Sequence, residues 1–245
     1  MGQSNDEEDL VLGRYRLLSL IATGGMGEVH RAEDVRLGRV VALKRLPASS
    51  LAHPDSRRRM LSEARATARL RHPHVVTVYD AYDDDGNVTL AMELVEGPSL
   101  RDRIAEGPLS VDAVLRLIAE VASALDAAHA IDLVHRDVKP ENVLFGRDGA
   151  AVLCDFGIVK ELAPGDGGEA PSARTTGGRA FETDVDAVPG TPPYVSPERI
   201  RTGRTTPAAD QFSLAVVAFE ALTGRLPWGG GAPLEGHQIF AAVLL

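Results

Sequence analysis

The tetrapeptide Glu96-Gly97-Pro98-Ser99 divides this chain into two stretches of opposite character. Proline lacks a backbone donor and glycine admits conformations closed to other residues, so no regular element runs through it. Before the break, short apolar runs rich in valine, leucine and tyrosine predict strands over 15–21, 40–46, 75–82 and 87–94. One helix is predicted there, over 54–70, with Pro54 and Asp55 in its first turn. After the break, helices dominate. Residues 110–130 place Val114, Leu117, Ile118, Val121 and Leu125 at helical spacing, and 208–222 is apolar enough to cross a core. Short strands are expected near 143–145 and 151–154. The break therefore reads as a hinge between two lobes.

Composition narrows the function classes. With 44% hydrophobic and 25% charged residues, the 245-residue chain has the make-up of a soluble globular protein. The formal net charge is −9 with no basic block, which argues against nucleic acid as a partner. A lone cysteine, Cys154, excludes an intrachain disulfide and a cysteine-rich zinc site, and a small buried strand residue is expected there. No apolar run reaches the length of a membrane span, and the acidic start (Asp6 to Asp9) is the opposite of a signal peptide. Residues 1–13 are expected to be disordered.

The densest chemistry lies in His135-Arg136-Asp137-Val138-Lys139-Pro140-Glu141-Asn142. Asp137 can accept a proton, Lys139 can hold a phosphate charge, and Asn142 can ligate a hard metal through its amide oxygen. Pro140 keeps these residues on a loop between apolar flanks. Lysine is rare: only Lys44, Lys139 and Lys160 occur among many arginines. A compact ammonium against phosphate oxygens is a demand arginine does not meet in the same way. Lys44 interrupts an apolar strand, so it either snorkels to solvent or points into a polar pocket. The run Ala22-Thr23-Gly24-Gly25-Met26-Gly27 is either an ordinary tight hairpin or one whose N–H groups face an anion. Glu63 could pair with Arg59 on its own helix. Asp155-Phe156-Gly157 is either a plain turn or a carboxylate at a strand end suited to Mg²⁺. Asp210 is a first-turn helix acid or a buried acceptor. Residues 161–190 form a long Gly-, Pro-, Ser- and Thr-rich loop of the kind that is usually functional or disordered.

Taken in order, the glycine hairpin, Val-Ala-Leu-Lys, the helix glutamate, His-Arg-Asp-x-Lys-Pro-Glu-Asn, Asp-Phe-Gly, Gly-Thr-x-x-Tyr-x-Ser-Pro-Glu and the helix aspartate resemble the eukaryote-like (Hanks-type) protein kinase family, in its bacterial, actinobacterial Ser/Thr branch. The resemblance covers about 15–227. It implies an α+β, bilobal protein-kinase fold: a small β-rich N-lobe with one helix over 14–95, and a larger, mainly helical C-lobe over 96–245. The activation segment would span 155–198, and the C-lobe would be incomplete, because family members continue with further helices.

The resemblance also implies roles. Gly24, Gly25 and Gly27 would cover the phosphates of ATP, Lys44 would hold the α- and β-phosphates, and Glu63 would pair with Lys44. Ile21, Val29, Ala42 and Leu144 would enclose the adenine, with Met92 as gatekeeper and Glu93 and Val95 bonding the base through their backbones. Asp137 would take the acceptor proton, Lys139 would stabilise the transferring group, and Asn142 and Asp155 would hold Mg²⁺, which Mn²⁺ could replace. Thr191 would buttress the loop and Asp210 would anchor it. The implied activity is phosphoryl transfer to Ser or Thr of protein substrates and of the chain itself, with Thr175, Thr176, Ser172 and Thr183 as acceptors in the activation loop. A phosphothreonine there could pair with Arg136. The implied location is cytoplasmic, with membrane tethering left to a region beyond this chain.

Ala22 replaces the family's usual first glycine, Thr67 replaces a hydrophobic residue of the helix, and Ser196 replaces the alanine of Ala-Pro-Glu. Glu198 is expected to lack the arginine that partners it in the family, and apolar surface is expected on 208–222 and 239–245. These last features keep a second reading open, a nucleotide-binding scaffold with weak or no activity. A small-molecule phosphotransferase is disfavoured by the Gly190-Thr191-Pro192-Pro193-Tyr194 segment, which resembles a peptide-docking loop.

Overall fold

A computed structural model describes residues 10–24, 27–48, 54–84, 87–156, 192–228 and 236–244. The chain forms two compact units that meet in sequence between Glu96 and Gly97.

The first unit is a six-stranded antiparallel sheet in the order β1-β2-β3-β4-β6-β5. Its strands are β1 (Leu10–Val11), β2 (Tyr15–Gly24), β3 (Gly27–Asp34), β4 (Arg39–Leu46), β5 (Val78–Asp84) and β6 (Asn87–Met92). Helix α1 (Pro54–Arg69) packs on β5 and β6. Strand β4 lies inside the sheet, and Val41, Ala42 and Leu43 are all buried, which explains its unbroken apolar run. One face carries Tyr15, Ala32, Val41, Leu43 and Ala91 into a shared core.

Two expectations change here. Residues 10–13 are ordered parts of this unit: β1 pairs Leu10 with Arg16 and Val11 with Tyr15, and Val11 and Leu12 pack on the core. Residues 1–9 lie outside the described set. The strand expected from Val75 begins at Val78, because Val75 and Val76 are buried in the turn that follows α1.

The second unit opens with α2 (Leu100–Glu106), which the sequence reading missed behind Pro98. Ser99 caps it by accepting from the N–H of Asp102, while Asp102 accepts from the N–H of Ser99. Then follow α3 (Val111–His129), the hairpin β7 (Val143–Phe145) and β8 (Ala151–Leu153), α4 (Pro197–Thr202), α5 (Pro207–Thr223) and α6 (Gly236–Leu244). Helix α5 buries most of its circumference, including Ala209, Ser213, Val216, Val217, Ala218 and Ala221, and leaves one stripe of Gln211, Ala215, Phe219 and Leu222 exposed. Gly97 is required by close approach: a Cβ there would lie 2.0 Å from the carbonyl oxygen of Phe145.

The expected apolar surface is present only in part. Phe219 and Leu222 on α5 are each 39% exposed. The C-terminal stretch is not bare: Ile239, Phe240 and Val243 of α6 are buried with Val195 and Ile200. Among the described residues no helix is long and apolar enough to cross a membrane.

Candidate active site

The loop from His135 to Asn142 is shaped by a residue far along the chain. Asp210, 1% exposed in the first turn of α5, accepts the backbone N–H groups of His135 and Arg136, each at 2.8 Å. His129, at the end of α3, meets the same carboxylate at 2.8 Å. Arg199 of α4 donates to the carbonyl of Arg136 at 2.7 Å. Arg136 adopts φ 67°, a left-handed conformation unfavourable for a side chain of its kind, and these bonds on both flanking peptides hold it there.

His135 is fully buried and ties the loop to the strand after it. Its Nδ1 accepts the N–H of Asp137 at 3.2 Å, so the ring proton sits on Nε2 and donates to the carbonyl of Cys154 at 2.9 Å. Burial pushes its pKa below the ordinary histidine value, against the pull of Asp210 and the Cys154 carbonyl. The ring also rests on Phe156, centroids 4.6 Å apart.

This frame brings three candidate groups together. Lys139 Nζ lies 3.0 Å from Asp137 Oδ2. Asn142 Nδ2 donates to the Asp137 carbonyl at 2.8 Å and to its Oδ2 at 3.2 Å. Both bonds direct the amide nitrogen of Asn142 at Asp137, which turns its Oδ1 away as an oxygen donor. The N–H of Cys154 donates to the carbonyl of Asn142 at 2.9 Å, extending the β7–β8 ladder by one pair and setting Asp155 just beyond it. Asp155 has φ 56°, turning the chain sharply at the strand end. A carboxylate and an amide oxygen are hard donors suited to a divalent cation that keeps further oxygens from phosphate and water. No group of three or more His, Cys, Asp or Glu side chains among the described residues forms a self-sufficient metal site. Cys154 itself is half-buried and lies one residue past β8, not inside it.

In the first unit the register gathers another set. Val29 lies opposite Lys44, Lys44 opposite Leu90, and Ala42 opposite Met92, so these side chains share one face of the sheet. Gly24 has open space at its Cβ position, whereas a Cβ on Gly27, at φ 136°, would sit 2.1 Å from the carbonyl oxygen of Arg45. The local packing of β4 already demands that glycine. Glu63 is half-buried on α1, and Thr67 is buried with its hydroxyl donating to the Glu63 carbonyl at 3.0 Å. The threonine that departs from the family pattern is therefore satisfied within its own helix. Glu93 donates its N–H to the Thr77 carbonyl at 2.8 Å; Val95 is half-buried, and Ile21 is exposed on β2. Leu144, in the second unit, is half-buried and bridges to Ser99. Gly25, Ser172, Thr175, Thr176, Thr183 and Thr191 lie outside the described residues.

Sequence reasoning missed four groups near this loop. His129 and Arg199 support its backbone, and Arg101 and Glu220 hold its outer end (Glu141) and Tyr194. Ser196 caps α4 through its Oγ, a reason for serine there. Glu198 is half-buried, and its backbone carbonyl accepts from the Thr202 hydroxyl at 2.7 Å.

A family model described as the protein kinase domain matches residues 15–242. The chain is 41% identical over 230 residues to serine/threonine-protein kinase PknL of Mycobacterium bovis, covering 94% of this chain and 54% of that protein. It is 40% identical over 228 residues to serine/threonine-protein kinase PknA of Mycobacterium tuberculosis, covering 91% and 49%. The crystal structure of a double mutant of the Mycobacterium tuberculosis PknI kinase domain matches with a TM-score of 0.68 and 30% identity, over 87% of this chain and 77% of that one. The chain spans about half the length of the curated relatives it matches.

Proposed function

Since the chain belongs to the protein kinase domain family, we propose that it transfers the γ-phosphoryl group of ATP to serine and threonine hydroxyls of proteins. The observation that carries this reading is the cluster of the Asp137 carboxylate, the Lys139 ammonium and the Asn142 amide, gathered on a loop fixed by Asp210.

Asp137 accepts the proton of the acceptor hydroxyl as its oxygen bonds to the γ-phosphorus and the bond to the β,γ-bridging oxygen breaks. Lys139, already against Asp137 Oδ2, keeps that carboxylate oriented and offsets negative charge on the group in transit. A divalent cation, Mg²⁺ in this proposal, neutralises phosphate charge when bound, and Asn142 and Asp155 would hold it. Positioning and charge neutralisation supply most of the acceleration. In the first unit, Lys44 orients the α- and β-phosphates, Glu63 supports Lys44, and the hairpin of Gly24 and Gly27 covers the phosphates. Val29, Ala42 and Met92 offer the adenine an apolar face. The N–H of Glu93 serves Thr77, so Glu93 contributes its carbonyl to the base. We place the reaction in the cytoplasm, where ATP is supplied. Ser172, Thr175, Thr176 and Thr183 are proposed acceptors of the chain's own phosphoryl transfer.

The test is transfer of labelled γ-phosphate from Mg·ATP to a generic protein acceptor, followed by phosphoamino-acid analysis and phosphopeptide mapping. Asp137→Asn should lower kcat by about 10²–10⁴-fold. Lys44→Met should lower kcat comparably while ATP affinity changes little. Near-wild-type turnover in either variant would overturn the reading; label confined to added substrate would overturn the autophosphorylation component alone.

A further inference from the structure

Arg101, on the second residue of α2, makes a planar contact with three other segments of the second unit. Its Nε donates to Glu141 Oε1 at 2.9 Å, its Nη1 to Glu220 Oε1 at 2.7 Å, and its Nη2 to the Tyr194 hydroxyl at 2.6 Å. Tyr194 in turn donates to Glu220 Oε2 at 2.6 Å. Glu141 belongs to the catalytic loop, one residue before Asn142. Tyr194 ends the Pro192–Tyr194 turn, and Glu220 lies on α5, the helix that also carries Asp210. Glu220 is 6% exposed and Tyr194 is buried, so their bonds form away from solvent. Burial, then the bond to Glu220, raises the Tyr194 pKa and keeps the phenol protonated as a donor.

The donor directions make this a closed set. A guanidinium presents five N–H groups in a fixed fork, whereas an ammonium cannot address three partners in one plane. The phenol accepts from Arg101 and donates its O–H to Glu220 Oε2, so both oxygens of that carboxylate are engaged. Arg101 links both single-turn segments to α5, alongside the direct Tyr194–Glu220 bond and the bond from Ser213 Oγ to the Tyr194 carbonyl at 2.7 Å.

We propose that Arg101 is a positioning residue for phosphoryl transfer to protein substrates: it locks the Pro140–Asn142 turn and the Pro192–Tyr194 turn in a fixed relation on α5. The inference rests on the kinase reading above. The partners of Arg101 are Glu141, Glu220 and Tyr194, and none of them is assigned to ATP, so its loss should fall on the protein acceptor and not on the nucleotide.

Two variants separate positioning from simple charge balance. Arg101→Met keeps the aliphatic length but strands the Glu220 carboxylate, so thermal stability should drop. Arg101→Met with Glu220→Gln removes that stranded charge and should recover most of the lost Tm. In both variants the KM for the protein acceptor should rise by about tenfold while the KM for ATP stays within about twofold. Hydrogen exchange should quicken at 140–145 and 192–196 and remain unchanged at 39–46. If the double variant regains the acceptor KM along with Tm, Arg101 only neutralises a buried carboxylate and the proposal is wrong. An unchanged acceptor KM in Arg101→Met, or a rise in both KM values together, also overturns it. If the wild-type chain transfers no phosphate, the kinase reading fails, and exchange decides alone: faster exchange at both turns sustains the tie, and unchanged exchange refutes it.

Discussion

Asp34 and Asp210 use the same device in different units. Asp34 is 0% exposed, accepts the consecutive N–H groups of Arg36 and Leu37 at 3.2 and 3.3 Å, and pairs with Arg14 at 2.6 Å. Asp210 is 1% exposed, accepts the consecutive N–H groups of His135 and Arg136, and meets His129. Each therefore shapes a bend with a buried carboxylate. The bend at Asp34 joins β3 to β4 and leads on through Arg14 to Tyr82, Tyr15 and Asp80, a knot of structure with no group placed for chemistry. The bend at Asp210 carries Asp137. A buried carboxylate that accepts backbone N–H groups thus marks a fixed turn, and only what the turn presents decides whether the turn is functional.

Of the two carboxylates, Asp210 is the one whose loss should reach the chemistry. Asn at that position would turn an NH₂ toward one of two backbone donors and release half of the loop anchor. Asp210→Asn should lower kcat by about 10²–10³-fold with little change in the KM for ATP. If kcat survives, the loop keeps its shape without its anchor and the parallel fails. Asp34→Asn should behave in the opposite way. It should cost about 3 kcal/mol of stability, since it breaks a buried ion pair, while the folded fraction keeps its kcat within about twofold. A kcat loss matching that of Asp210→Asn, measured well below the variant's Tm, would show that the two turns are not functionally distinct.

A smaller effect is expected from His129→Leu, which removes one of three bonds to Asp210 but leaves both backbone donors in place. About 1 kcal/mol of stability and less than about tenfold in kcat should be lost, read from denaturant melts and steady-state rates. The smallest effect is a dependence on pH. The side-chain bond from Arg14, opposed by burial, holds Asp34 below its ordinary 3.8, so its stabilisation is complete above 3.8 and is lost as the pH falls through the folded value. Burial holds His135 below its ordinary 6.5, so stability contributed by the neutral ring is complete above 6.5 and declines as the pH falls from there. His72, held low by burial and by His74, adds to the same window in the first unit. Tm measured from pH 7.5 downward should therefore fall in two stages, and His135→Gln should flatten the first without abolishing it. An identical slope in the variant would remove His135 from the account.

Much of this architecture is legible in the sequence, for a physical reason. Short apolar runs bounded by turn residues expose most strands, and the 110–130 periodicity corresponds to α3 with Ser110 as its cap. The acid, amide and cation of the 135–142 loop lie within six residues of one another, so their contact requires no long-range knowledge. What stays hidden depends on distant partners. Arg101 finds Glu220 across 119 residues, and nothing in either local sequence announces the pair. His129 reads as one more residue of an alanine-rich helix, and only Asp210 gives it a role. Helix α2 is a different kind of miss: Ser99-Leu100-Arg101-Asp102 is a capping signature in plain view, masked by the breakers Gly97 and Pro98 beside it. Helix α6 reads as bare apolar surface because its partners, Val195 and Ile200, lie about forty residues upstream and meet it only in three dimensions.

The anchoring of His135 by a residue 75 positions later also sets an order of events during synthesis. A ribosome adding about 5–20 residues per second takes roughly 4–15 s to travel from one to the other. For most of that interval the nascent chain holds every side chain of the 135–142 loop, yet lacks the carboxylate that bends it. The loop gains its bonds to Asp210 only when the first turn of α5 emerges and folds back, so its bend waits on elongation past residue 210.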